Sequence, residues 1–162
     1  MPISRQVLIA APAFVLALVA TPAHARPVPA PPSHPVVVLA EAERLAEAGQ
    51  LKAARKIYKA AATDAIASGD YPAAALRGLA NMAYFLGDNA AAAVALDDLA
   101  SYAAEFGDPA TQITALVDAA FLHQAMGNRA EVAEHQVRIK RLLKSPALSD
   151  ETRAFVESRT TK

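Results

Sequence analysis

The chain has 162 residues, with 16 basic and 16 acidic side chains and a formal net charge of zero. A nucleic-acid-binding protein would concentrate Lys and Arg on one face, and this balanced composition argues against that class. Cysteine is absent, which excludes a disulfide framework, a lipid-bearing cysteine and a cysteine nucleophile.

The first 25 residues have the three parts of a secretory signal peptide. Arg5 precedes an apolar run from Val7 to Val19, and small residues close the segment. The run is shorter than the about 20 residues that a permanent membrane-spanning helix requires, which favours a cleaved signal over a retained anchor. We expect cleavage between Ala25 and Arg26, a periplasmic or secreted location in a bacterium, and no stable membrane anchor after cleavage.

Residues 26–35, RPVPAPPSHP, are half proline. Proline has no backbone N–H to give to a helix or a sheet, so this stretch predicts an extended tether. From Val36 the composition changes to Ala, Leu, Glu, Lys and Arg, the residues that lose least on forming a helix. We predict one helical domain over residues 36–158 and a short tail at 159–162.

Glycines interrupt the helical composition at regular intervals of 18 to 20 residues, at Gly49, Gly69, Gly87, Gly107 and Gly127. Asp or Asn follows four of them and Gln50 follows the first. Glycine suits the left-handed conformation that closes a helix, and an Asp or Asn oxygen can accept from the free N–H groups that open the next. Each glycine therefore predicts both the end of one helix and the start of another.

Between these breaks, apolar residues recur every three or four positions, as in Leu51, Ala54 and Tyr58. This spacing is typical of an amphipathic helix with one buried stripe. Strand-like alternation is not sustained anywhere. The prediction is an all-α domain of helices joined by short links.

The sequence also repeats at the scale of a helix pair, because Gly49, Gly87 and Gly127 are separated by 38 and 40 residues. The stretch GQLKAARKIYKAA (residues 49–61) resembles the second helix of a tetratricopeptide repeat. The resemblance implies three antiparallel helical hairpins in a short right-handed solenoid, closed by a last helix at SDETRAFVESR. These repeats are longer than the family's about 34 residues, and Gln136 stands where Tyr58 stands in the first. Another antiparallel helical bundle is the alternative.

In such repeats the first helices of the pairs line a concave groove that holds an extended peptide or a partner helix. Arg77 and Asn81 are four residues apart, so they share a helix face and resemble a pair that grips a terminal carboxylate. The alternative for Arg77 is an ion pair with Glu43 or Glu47. The resemblance places these residues in the peptide-binding groove: Arg77, Asn81, Tyr84, Phe85, Val117, Phe121 and Gln124.

Groups for catalysis are scarce, since there is no glycine-rich phosphate loop and no closely spaced histidine pair. His123 and His135 flank Gly127 and could form a weak metal site with Glu131 or Glu134, but two such histidines are more often ordinary polar residues. We predict no catalytic residue, cofactor or metal.

The sequence therefore predicts an exported, non-enzymatic scaffold that recruits a protein or peptide partner through a helical groove. The alternative function is a structural or self-associating subunit of a cell-envelope assembly. The oligomeric state stays open.

Overall fold

The computed structural model describes residues 35–160, and this part of the chain is built from α-helices joined by short links. The predicted all-α class is confirmed. The predicted signal peptide and the tether up to His34 lie outside the described residues, and Pro35 is the first residue of the first helix. The helices of residues 35–160 are α1 (Pro35–Glu47), α2 (Leu51–Ser68), α3 (Ala73–Phe85), α4 (Asn89–Glu105), α5 (Pro109–Met126), α6 (Arg129–Leu142) and α7 (Asp150–Thr160).

The five predicted glycine breaks all end helices in the left-handed conformation, with φ between +68° and +80°. At the end of α2, Gly69 N–H donates to the carbonyl of Ile66 (3.1 Å) and Asp70 N–H donates to that of Ala65 (2.8 Å). This pair of hydrogen bonds is the Schellman arrangement, which satisfies carbonyls at the end of a helix. The same pair closes α1, α3, α4 and α5.

The prediction that the next residue caps the following helix is only partly right. The side chains of Asp88 and Asp108 accept from the backbone N–H groups of Ala91 (3.1 Å) and Thr111 (3.0 Å). Asp70 does not cap α3, because that helix begins three residues later, at Ala73. Asn128 precedes α6 without a capping hydrogen bond.

Consecutive helices pack against one another from α1 to α6. Because two to four residues join these neighbours, they run antiparallel as helical hairpins do. Helices two apart also touch where α1 meets α3 and where α7 meets α5. The even-numbered helices α2, α4 and α6 begin at residues 51, 89 and 129, at intervals of 38 and 40 residues.

Alanine makes up half of the buried apolar residues, 13 of 26 in the part of the chain that the structure describes. Leu99, Ile113 and Leu116 are the largest apolar side chains among those that are completely enclosed. Small side chains leave room for larger ones on a neighbouring helix, as at Gly78 on α3. The ring of Tyr58 on α2 occupies the space where a side chain at Gly78 would begin.

Polar contacts join the links to neighbouring helices. Arg55 on α2 donates to Asp88 (2.9 Å), and the Tyr71 hydroxyl donates to Asp108 (3.1 Å). Burial opposes ionisation of Asp108, but hydrogen bonds from Thr111 and Tyr71 outweigh it, so that the pKa of Asp108 lies below its ordinary value. The ring of Tyr71 also stacks on Phe106, with 4.8 Å between centroids.

Candidate functional site

A concavity of about 250 Å³ opens between α3, α4, α5 and α7. It is smaller than most small-molecule pockets, which enclose several hundred Å³. Its volume suits one or two large side chains of another molecule. The lining residues are Ala80, Asn81, Tyr84, Ala92, Leu96, Asp118, Phe121, Leu122 and Arg159.

Exposed aromatic rings surround this concavity. Tyr84 on α3 and Phe121 on α5 both line it, with 49% and 61% of their surfaces exposed. Phe85 is 65% exposed and lies beside Tyr84, with 5.9 Å between ring centroids. On α7, the guanidinium of Arg159 lies 5.2 Å from the ring centroid of the half-exposed Phe155.

Arg77 is held within the fold. Its Nη1 donates to Oδ2 of Asp118 (2.9 Å) and its Nη2 to the hydroxyl of Thr114 (3.2 Å), both on α5. The alternative prediction paired Arg77 with Glu43 or Glu47. Among residues 35–160, Arg77 instead forms its ion pair with Asp118. Two of the five N–H donors of the guanidinium are therefore used within the fold, and a grip of Arg77 on a partner's carboxylate stays a prediction.

The remaining predicted groove residues divide between the concavity, the surrounding surface and the core. Asn81 is exposed and lines the concavity. Gln124 is exposed but does not contribute to the lining. Val117 is only 7% exposed and belongs to the main core cluster, so its assignment to the groove is wrong. The reason is that α5 is packed by α4, α6 and α7, which cover more than one stripe of it.

A second group of polar side chains lies away from the concavity lining, where α4, α5 and α6 meet. His123 and His135 are buried, and both approach the carboxylate of Asp97. Nε2 of His123 lies 3.1 Å from Oδ2, and Nε2 of His135 lies 2.8 Å from Oδ1. One possible ligand atom from each residue can be chosen so that all lie within 4.8 Å of one another.

The two histidines differ in their hydrogen bonds. His123 bonds to Asp97 through Nε2 and to the amide of Asn128 through Nδ1 (3.1 Å). His135 is only 5% exposed, and neither of its ring nitrogens has a hydrogen-bond partner. Its 2.8 Å approach to Asp97 Oδ1 is short enough for a hydrogen bond, but the angle is poor and Oδ1 likewise stays unsatisfied. The poor angle therefore rules out a strong hydrogen bond between Nε2 and Oδ1, because hydrogen bonds weaken steeply as they depart from linearity.

Sequence reasoning missed three contributors to these sites. Arg159 reaches the concavity because α7 packs against α5, and no pattern in the local sequence predicts this contact. Asp97 directly follows Leu96 on α4, and Asp118 lies between Val117 and Ala119 on α5. Their spacing along the helices gives the signal that could have found them, because a carboxylate near the buried stripe of a helix needs a partner.

The chain matches no protein-family model, no curated protein and no solved structure. Among residues 35–160, no helix combines the length and apolar character needed to cross a bilayer.

Proposed function

We propose that this chain is a non-enzymatic binding module that holds a peptide segment of a partner protein in the concavity between α3, α4, α5 and α7. The segment inserts a large apolar side chain between the rings of Tyr84 and Phe121. The observation that carries this proposal is the exposure of these two rings on the walls of one concavity.

A contiguous patch of exposed aromatic rings is uncommon on a protein surface that has no binding role. Aromatic residues also supply much of the binding energy of protein interfaces, where they are enriched among hot spots. Six of the nine lining residues are apolar or aromatic. The site therefore favours burial of an apolar group.

The polar residues of the concavity suit positioning better than proton transfer. Asp118, its one carboxylate, is paired with the Arg77 guanidinium at 2.9 Å. Asn81 has an exposed amide that can donate to and accept from a peptide backbone. Arg159 adds a positive charge at the α7 wall, which favours an acidic residue beside the inserted apolar one.

We further infer that the helices form tetratricopeptide-like repeats of the long variety. The supporting observations are the starts of α2, α4 and α6 at intervals of 38 and 40 residues and the burial of Ala54 and Tyr58, two positions that carry the resemblance. On this proposal, α3 and α5 are the groove helices of the second and third repeats.

A random-peptide library displayed against the purified chain tests the binding proposal. We expect selected peptides to share a large apolar residue next to an acidic one. The affinity of a selected peptide, measured by fluorescence anisotropy, should fall about thirtyfold in Phe121→Ala, as for an interface hot spot. Val137→Ala is the matched control, because Val137 is exposed on α6 and does not line the concavity; its affinity should equal that of the wild type.

An equal loss of peptide affinity in Phe121→Ala and Val137→Ala, or no loss of affinity in either variant, would contradict the groove proposal. Light scattering of the same samples tests the alternative of a self-associating envelope subunit. An oligomer that dissociates in Phe121→Ala but not in Val137→Ala would favour that alternative.

We also propose that the chain is exported and that residues 1–25 are removed. The support is the sequence pattern of a short apolar run followed by small residues. Mass spectrometry of the chain recovered from the periplasm or the medium should give an N-terminus at Arg26. Recovery of the full chain in the membrane fraction would contradict this.

A further inference from the structure

We infer that Asp97, His123 and His135 form a binding site for a divalent transition-metal ion of the Zn²⁺ class. The three side chains come from α4, α5 and α6. An ion bound there would join three consecutive helices at a place separate from the aromatic concavity.

The first argument is the donor set. Two imidazoles and one carboxylate are ligands that Zn²⁺ takes in proteins, with a fourth position left for water or another ligand. Ca²⁺ and Mg²⁺ prefer sites built from oxygen atoms, so they suit this set poorly. The residues of the cluster are separated in the chain by 26 and 12 positions, and only the packing of three helices brings them together.

The second argument is the unsatisfied state of His135. A buried polar group without a partner costs free energy, and here both ring nitrogens and the facing Asp97 Oδ1 lack a hydrogen bond. Nε2 and Oδ1 lie 2.8 Å apart without a well-placed proton between them. A cation bound to the neutral imidazole and to the carboxylate would satisfy both of these atoms at once.

The distances are compatible with an ion after small side-chain movements. Ligand atoms about 2.0–2.1 Å from a tetrahedral ion are about 3.3 Å from one another. His135 and His123 contact different oxygens of Asp97, Oδ1 at 2.8 Å and Oδ2 at 3.1 Å. One ligand atom from each of the three residues can be chosen so that all separations are within 4.8 Å. Rotation of the imidazole rings would shorten the longest of these distances between ligand atoms.

Asn128 can support the ion from behind His123. A histidine that binds a metal through one nitrogen usually donates its other N–H to an acceptor, which fixes the ring. The Asn128 amide faces Nδ1 of His123 at 3.1 Å. If the Asn128 side-chain amide is rotated by 180°, its oxygen can accept from Nδ1–H of His123. Nε2 of His123 then carries the lone pair that binds the ion.

Asp97 is the most exposed residue of the cluster, although its Oδ1 atom is buried. About a third of the Asp97 side chain is exposed, whereas the side chains of His123 and His135 are 10% and 6% exposed. The carboxylate thus forms the outer edge of the site, and the imidazoles form its inner wall.

Isothermal titration of the full chain with Zn²⁺ tests the proposal. We expect one ion per chain, and an affinity at least about tenfold weaker in Asp97→Asn and in His123→Gln. The control is His24→Gln combined with His34→Gln, which removes the other two histidines of the chain and should leave the affinity unchanged. Absence of binding by the wild type, or binding that Asp97→Asn leaves unchanged, would overturn the inference.

A second measurement needs no variant, so it holds even where a substitution in the cluster prevents folding. Co²⁺ added to the wild-type chain should develop the intense visible absorption of a four- or five-coordinate site, and excess Zn²⁺ should remove it. A spectrum identical to that of aqueous Co²⁺ would show that the cluster is a metal-free group of polar side chains, and the inference would fail.

Discussion

Replacing Gly78 by alanine tests how closely α3 approaches α2. Gly78 is buried in the middle of α3. A Cβ atom added there would lie 2.5 Å from Cζ of Tyr58 and closer still to Cε1 and Cδ1 of the same ring. Carbon atoms in contact are separated by about 3.5–4.0 Å, so the ring would have to move by an ångström or more.

The ring has little freedom to move. Tyr58 is buried in a small cluster with Ala42, Leu45, Ala54 and Met82. Overpacking a core costs about 1–3 kcal/mol, while alanine gains about 1 kcal/mol over glycine in a helix interior. Because the enclosed ring would have to move by an ångström or more, we expect the cost to lie in the upper part of that range, at about 2–3 kcal/mol. After subtraction of the helix gain, Gly78→Ala should lower the free energy of unfolding by about 1–2 kcal/mol.

A double-mutant cycle separates the two effects. Tyr58→Val removes the ring atoms that meet the new methyl group. In that background, only the gain in helix propensity remains, so Gly78→Ala should stabilise the chain by about 1 kcal/mol. The measurement is urea denaturation followed by circular dichroism for the wild type, both single variants and the double variant. The sign of the substitution should reverse between the two backgrounds.

Equal effects of Gly78→Ala in the two backgrounds would refute the reasoning, because residues in contact should show a coupling free energy. Gly69→Ala serves as the control. It should destabilise both backgrounds alike, since φ is +74° at Gly69 and no atom lies within 4 Å of the position of an added Cβ.

Three other predictions concern the links and the ion pair. Gly107→Ala should cost about 1 kcal/mol or more, because φ is +68° there; thermal unfolding measures it. Asp108→Asn should be less stable than the wild type at neutral pH. Because the pKa of Asp108 is lowered in the fold, this difference is present above its unfolded pKa and disappears as the pH falls through the folded pKa; urea denaturation between pH 7 and 2 would show it. Arg77→Ala and Asp118→Ala should couple by under about 1 kcal/mol, less at high salt, because both side chains are about a third exposed; a larger coupling would contradict this.

Local chemistry made the helix boundaries predictable. A glycine followed by a polar residue predicts a left-handed helix end, and each of the five glycines in the described links adopts one. The capping role was predicted correctly for Asp88 and Asp108, but not for Asn128, although α6 starts directly after it. The prediction also failed at Asp70, because Tyr71 and Pro72 extend that link and Pro72 takes the position before the helix.

Positions that depend on three-dimensional packing could not be predicted in this way. A single helical stripe places Val117 beside Phe121, but α5 is covered on several sides, and Val117 is buried while Phe121 is exposed. The cluster of His123 and His135 with Asp97 likewise depends on how α4 packs against α5 and α6. The nearby acids Glu131 and Glu134, which the sequence suggested as partners, are exposed.

The main helix contacts join neighbours in the chain or helices two apart. Contacts between elements so near in the chain give a low contact order. Forming them closes loops that contain no more than one helix and its links, at a small cost in chain entropy. We therefore expect this domain to fold fast and to start folding at any hairpin. We also expect a pulling force on its ends to detach the outer helices before the inner ones.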